Sequence, residues 1–266
     1  MRASPAAIAC GDLWTSFQKY SLVGMLGWQD IRQRYRRSAL GPFWLTISMG
    51  VMIATIGIVF GQIFNSPLDE FLPFLTIGII LWGLMTTVVT EGCTVFIAAE
   101  GIIKQLPLPI FLHIFRMIWR NLLIFAHNLV IFPVVLIAVG KPLSWIALLS
   151  IPGLALTLIN LTWVAVVLGI VCARYRDLTQ IVTSSVQVLF YLTPIMWMSK
   201  HLPAGAALYL LALNPVYHLI EVVRAPLLGE IPSVTNWVVS LALALLGSLV
   251  ALLVYGRFKR RIPYWL

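Results

Sequence analysis

Hydrophobic residues run along this chain in long blocks, without the short polar interruptions that a water-facing helix or strand needs. Six blocks are free of charge, or carry charge only at one end: residues 42–64, 71–92, 116–139, 146–172, 178–198 and 237–256. Each is about the length of a helix that crosses a bilayer, where the backbone must satisfy its own hydrogen bonds. A seventh uncharged run, 201–220, holds Pro203, Gly205, Asn214, Pro215 and His218, and its clean apolar core is only 206–213. That core is too short to span. The run predicts two short helices at 204–213 and 216–227, a re-entrant or capping hairpin within a 204–227 segment. Residues 12–28, ahead of the first block, read as a helix lying in the interface. Leu13, Trp14, Phe17 and Tyr20 share one arc at 100° per residue, the mark of a segment buried to headgroup depth on one side.

Charge orients these elements. With six spans and both termini inside, thirteen basic residues face the cytoplasm, namely Arg2, Lys19, Arg32, Arg34, Arg36, Arg37, Lys104, Arg174, Arg176, Arg257, Lys259, Arg260 and Arg261. Lys141, Lys200 and Arg224 fall outside, and Arg116 and Arg120 begin the third span. A seventh span would carry the basic tail outward, against the positive-inside bias. Composition agrees: 61% hydrophobic residues, 10% charged and a mean hydropathy of +0.97 exclude a soluble enzyme and a disordered chain. Three unpatterned cysteines, Cys10, Cys93 and Cys172, support neither a disulfide scaffold nor a zinc site. The net charge of +9 reports topology and anionic lipid, not nucleic acid. The apolar stretch at the N-terminus is too short for a cleavable signal.

Catalytic signatures are missing. No P-loop, G-x-S-x-G, H-E-x-x-H, C-x-x-C or D-x-D is present, so the chain is not expected to be an enzyme or to bind a cofactor or metal itself. Four candidate features remain. Arg32, Arg34, Arg36 and Arg37 stand just before the first span, either as a lipid anchor or as a phosphate site, since guanidinium forks pair with phosphate oxygens. Residues 98–112, with Pro107 and Pro109 behind a short helical start, form either an ordinary loop or a rigid element that docks a soluble partner. Glu91, His113, Arg116 and Arg120 lie at membrane depth near the inner face, either as functional groups or as a Glu91–Arg pair that fixes helix packing. Trp82, Trp163, Phe190 and Tyr191 lie within spans, as packed rings or as the lining of a conduit on which sugar faces stack. Gly57 and Gly61 form a G-x-x-x-G that lets helices approach.

Two long segments carry a resemblance: residues 30–44 (DIRQRYRRSALGPFW) and 214–229 (NPVYHLIEVVRAPLLG). Phe60 with Gly61, residues 174–177 (RYRD) and 193–195 (TPI) within the fifth span add to it. Nearly the whole chain resembles the ABC-2 type permeases of polysaccharide export, most closely the O-antigen branch (Wzm-like). Capsule (KpsM-like) and teichoic acid (TagG-like) permeases share the first segment.

The resemblance implies an all-α polytopic inner-membrane protein with the ABC-2 exporter fold. Six transmembrane helices form a single domain over 1–266, with cytoplasmic termini, an N-terminal gate helix at 12–28 and periplasmic re-entrant helices before the last span. It implies a homodimer with two copies of a separate Wzt-like ATPase that holds ATP and Mg. The substrate would be a polysaccharide linked to undecaprenyl diphosphate, whose diphosphate meets the Arg32–Arg37 cluster. Glu100, Gly101, Lys104, Gln105 and Pro107 would couple to the ATPase. Asn214, Pro215, Tyr217, His218, Glu221 and Arg224 would belong to the outer gate. Rival classes are a capsule or teichoic acid permease, a drug or lipid exporter (which normally adds a large outer domain or a fused ATPase), and a membrane enzyme acting on a lipid diphosphate, which would need catalytic acids.

Overall fold

The computed structural model describes residues 4–34, 36, 43–198, 205 and 208–266. Arg37, Pro42, Lys200 and residues 204, 206 and 207 of the expected short helix at 204–213 lie outside the described residues. Among those described there is no strand. The helices are α1 (Pro5–Gln18), α2 (Tyr20–Arg34), α3 (Phe43–Ile63), α4 (Leu68–Ala98), α5 (Glu100–Gln105), α6 (Phe111–Leu129) and α7 (Ile131–Val139). A 3-10 turn at Trp145–Leu149 leads into α8 (Ser150–Arg174), followed by α9 (Leu178–Leu192), α10 (Pro215–Leu227), α11 (Val234–Phe258) and α12 (Ile262–Trp265).

Five stretches are long and apolar enough to cross a membrane: Phe43–Ile63, Leu68–Gln105, Phe111–Val139, Trp145–Arg174 and Val234–Phe258. The third of these is broken at Val130, because Pro133 has no N–H to offer the turn before it. The expected span at 178–198 differs from its prediction. Its helix stops at Leu192, and Thr193 is extended (φ −95°, ψ 136°) because it precedes Pro194, whose ring disfavours the helical region for its neighbour. Fifteen residues of helix reach about 22 Å, short of a roughly 30 Å hydrocarbon core. Thr193, Pro194 and Ile195 therefore form the exit of this helix and are buried, with Ile195 fully covered.

α4 is the central post, packed against α3, α6, α7, α8, α9 and α10. Its tightest crossing is with α8, where a Cβ on Gly92 would lie 3.0 Å from Ala165 and one on Gly169 would lie 3.0 Å from the Gly92 carbonyl. The G-x-x-x-G of α3 is used inside the chain: Gly57 and Gly61 seat Leu72 and Leu68 of α4. Elsewhere α3 turns apolar side chains such as Val51, Ile58 and Ile63 outward. Polar groups do the reverse. Thr157 of α8 donates to the Leu219 carbonyl of α10 (3.0 Å), and Asn160 donates to the Ser240 carbonyl of α11 (3.1 Å). Such bonds hold helices together where lipid offers no competing partner.

The expected interfacial helix at 12–28 is two helices, interrupted at Lys19. α1 starts at Pro5, capped by the Ser4 hydroxyl, which accepts the Ala7 N–H at 3.2 Å. Trp14, Phe17 and Tyr20 are all exposed, while Ala9, Asp12 and Ser16 face the protein. Three residues of the expected arc thus point away from the bundle, as a helix resting in a bilayer interface requires, while Leu13 packs inward against the core.

Candidate functional site

Where α2, α4 and α6 meet, acids and arginines alternate across the three elements. Arg116 of α6 donates through Nε to Asp30 of α2 (2.7 Å), and through Nη2 to the other carboxylate oxygen. Arg120, one turn on, reaches Asp30 at 3.1 Å and Glu91 of α4 at 2.6 Å. Asn121 also donates to Glu91 (2.7 Å), and Arg34 of α2 approaches it at 3.6 Å. Burial pushes the Asp30 carboxyl up, but the hydrogen bond and charge of Arg116, with Arg120 behind it, hold it below the usual carboxylate range. Of the two readings left open for Glu91, the paired one is realised at Arg120; Arg116 pairs with Asp30 instead. Arg32, Arg34 and Arg36 are exposed at the end of α2 and just beyond it, and Arg37 lies outside the described residues.

A second anchor joins the N-terminal helix to the rest. Asp12 of α1 is buried and accepts from the Phe111 backbone N–H (3.3 Å), the Tyr255 hydroxyl and the Lys259 ammonium. Its carboxylate caps the start of α6, where Ile110 supplies no side-chain cap, and also neutralises a cation at the C-terminus of α11. Gly256 permits this closeness, since any Cβ there would strike the Pro5 carbonyl. Sequence reasoning missed Asp12, and no local signal marks it: its partners stand 99, 243 and 247 positions away.

Between α4 and α6 the chain forms α5, whose residues are all outside the core. Lys104 donates to Glu100 at 2.7 Å, one turn apart, and this bond and charge hold the Glu100 carboxyl below its ordinary range. Gly101 has open space around it, Gln105 and Pro107 are exposed, and Leu106 is half exposed. Arg176, in the turn between α8 and α9, adds its charge near Glu100, so these two connections lie on one side of the molecule.

Three of the four aromatic candidates come together. Trp82 of α4 and Phe190 of α9 have ring centroids 5.5 Å apart, and Tyr191 meets Phe190 at 5.4 Å. With Met49 and Ile56 of α3 they line an open groove of about 520 Å³, and Tyr191 is 73% exposed. Trp163 does not join them. It lies against Gly247 of α11, with its Nε1 donating to Asn160 at 3.0 Å, and borders a separate cavity of about 360 Å³ with Leu13, Phe111 and Leu252.

The outer residues are organised by α10. Asn214 caps it, accepting from the Val216 and Tyr217 N–H groups at 3.0 and 3.3 Å, and donates to Thr193 at 2.9 Å. Pro215 occupies the first helical position, which requires no N–H. His218 is buried between the Asn236 side chain (2.8 Å) and the Ala212 carbonyl (3.0 Å), with the Tyr217 ring edge-on to it. Arg224, counted above among the basic residues on the outer side, is 1% exposed. It pairs with Glu221, donates to the Pro194 carbonyl at 2.6 Å and lies 3.9 Å above the Phe74 ring. Residues 208–212 form a π-helical turn before α10. Asp69 and Glu70 are in the first turn of α4, where acids suit the helix dipole, and Lys141 stands 3.5 Å from Asp69. Among the described residues no cluster of three His, Cys, Asp or Glu side chains could hold a metal.

Comparison with known proteins bears on this arrangement. Residues 21–228 match the family model of the ABC-2 type transporter. The chain is 24% identical over 204 residues to an O-antigen export system permease protein RfbA of Klebsiella pneumoniae, covering 76% of this chain and 78% of that one. It is 23% identical over 211 residues to the protein of the same name from Myxococcus xanthus, covering 79% and 81%. The matched region runs from the start of α2 to the end of α10 and so takes in the charge network of α2, α4 and α6, the aromatic groove and the buried Arg224: this multi-pass, all-helical chain belongs to the ABC-2 type transporter family.

Proposed function

We propose that this chain is the membrane subunit of an O-antigen export system, carrying a polysaccharide linked to undecaprenyl diphosphate across the inner membrane. The observation that carries the reading is likeness to O-antigen export permeases over more than three quarters of both chains. Two copies of the chain, each with six spans and both termini in the cytoplasm, form the conduit, and two copies of a separate Wzt-like ATPase supply the energy. The fifth span in chain order combines α9 with the extended segment behind it. α1 and α2 act as the gate at the inner interface, with their aromatic arc in the headgroups. Arg32, Arg34, Arg36 and Arg37 receive the diphosphate, and α5 with Pro107 rests on the ATPase. The groove of Trp82, Phe190 and Tyr191 offers ring faces to passing sugars, which bind aromatic planes through their C–H faces. α10, held by Asn214 and Arg224, closes the outer end.

Cells lacking this chain are expected to lose surface O antigen and to retain lipid-linked polymer inside; full-length surface O antigen in such cells overturns the reading. For the arginine cluster, the double variant R34Q/R36Q is expected to lower surface glycan several-fold while membrane level and ATPase activity hold. Unchanged surface glycan with normal ATPase removes these residues from the diphosphate role.

A further inference from the structure

The inner charge network borders a cavity of about 250 Å³ between α4 and α6. Two stripes at helical spacing form its walls: Glu91, Thr94 and Ala98 on α4, and His113, Arg116 and Arg120 on α6. The small side chains on one wall face long ones on the other, and the difference in length leaves the space.

Two observations point to a ligand. His113 is 3% exposed, and neither ring nitrogen has a hydrogen-bond partner among the described residues; the Nε of Arg120 is buried and unpartnered in the same way. Buried polar groups are almost always satisfied, so two such groups on one cavity form an unmet demand. The charge balance is also uneven. Three guanidinium groups, Arg34, Arg116 and Arg120, meet two carboxylates, Asp30 and Glu91, which leaves one positive charge in excess.

We propose that this cavity binds a single phosphate ester headgroup, held by the His113 imidazole and the Arg120 Nε–H. One anionic phosphate cancels the surplus charge and supplies oxygens to both unpartnered groups. It also competes with Asp30 and Glu91 for Arg120, so occupancy is linked to the clamp between α2 and α6. Ala98 and Ala99, at the junction of α4 and α5, line the same space, which places the ligand beside the connection to α5. The site follows from the network alone and does not depend on the export reading. A phospholipid of the bilayer and a polyprenyl diphosphate both carry the required group.

The test uses the full-length chain purified in detergent, titrated with phosphatidylglycerol, undecaprenyl diphosphate or phosphate-free diacylglycerol, with binding read by native mass spectrometry. Wild type is expected to take up one phosphate-bearing lipid and no diacylglycerol at matched concentrations. H113L removes the imidazole. T94L fills the cavity from the other wall, where the Thr94 hydroxyl bonds only its own helix at 3.3 Å, so it serves if H113L does not fold. H113L is expected to weaken phosphate-lipid binding about tenfold or more, the loss of one charge-assisted hydrogen bond, and T94L to weaken it about as much by occupying the space the headgroup needs. Loss confined to undecaprenyl diphosphate identifies a substrate site. Loss confined to phosphatidylglycerol identifies a bilayer-lipid site and leaves the export reading standing. Equal affinity in wild type and every folded variant, or a cavity that retains only water, overturns the proposal.

Discussion

Replacing Arg224 with methionine tests whether the outer end is held by a buried ion pair. The guanidinium is almost wholly covered, and removing it strands the Glu221 carboxylate, whose side chain is 15% exposed. It also leaves the Pro194 carbonyl without its 2.6 Å donor. Breaking one partner of a buried pair costs about 3–5 kcal/mol. The Glu221 side chain keeps some access to solvent, which sets the loss at the low end, about 3 kcal/mol. The methionine keeps an apolar contact with Phe74, so the stacking loss is small. For a chain of this size each kcal/mol moves the midpoint by about 2–4 °C, which gives a fall of about 6–12 °C in detergent, read by size exclusion after heating. The double variant E221Q/R224M removes the stranded charge and is expected to recover more than half of that fall. A single variant within about 2 °C of wild type, or a double variant no better than the single, refutes the reasoning.

Three further outcomes follow from particular contacts. D12A removes the acceptor shared by Phe111, Tyr255 and Lys259, and is expected to lower the opening free energy of α1 by about 2 kcal/mol, roughly thirtyfold faster amide exchange over residues 5–18; unchanged exchange there counts against the anchor. G153A puts a Cβ 2.1 Å from the Val222 carbonyl oxygen, backbone against backbone, so α8 and α10 must part at a cost of about 1–3 kcal/mol. G101A, with nothing within 4 Å, is expected to be neutral or stabilising by about 0.5–1 kcal/mol, and a thermal melt in which the two variants behave alike rejects the comparison. The swap E100K/K104E preserves the pair within α5 while inverting the charges it shows to a partner, and is expected to reduce ATPase copurification; full recovery of the complex removes α5 from the coupling role.

The boundaries of the apolar blocks were legible because hydrocarbon tolerates no charge, so Arg, Lys, Asp and Glu mark where each block leaves the membrane. Glu91, Arg116 and Arg120 stood out for the same reason, and two of the three form the expected pair. Other features were written in the chain and passed over. Pro194 marks the end of α9 through its effect on Thr193, and Pro133 marks the break at Val130, since a prolyl ring acts on the turn before it. The break at Lys19 has no such signature. Trp163 could not be told from Trp82 by sequence, because both sit mid-helix and only the neighbouring helix decides whether a ring fills a glycine notch or lines a groove.

By itself the sequence determined the solvent of this protein, its helical class and the family to which it belongs. These depend on composition, block length and short contiguous segments, which local chemistry controls. Tertiary structure decided which polar groups meet. Asp12 finds Tyr255 across 243 positions, Arg224 becomes a buried strut, and His113 is left facing a cavity with no partner among the described residues. Each outcome depends on how helices cross, set by notches such as Gly92 against Ala165 and Gly153 against Val222. Packing of that kind is a property of pairs of surfaces, and no single stretch of the chain contains it.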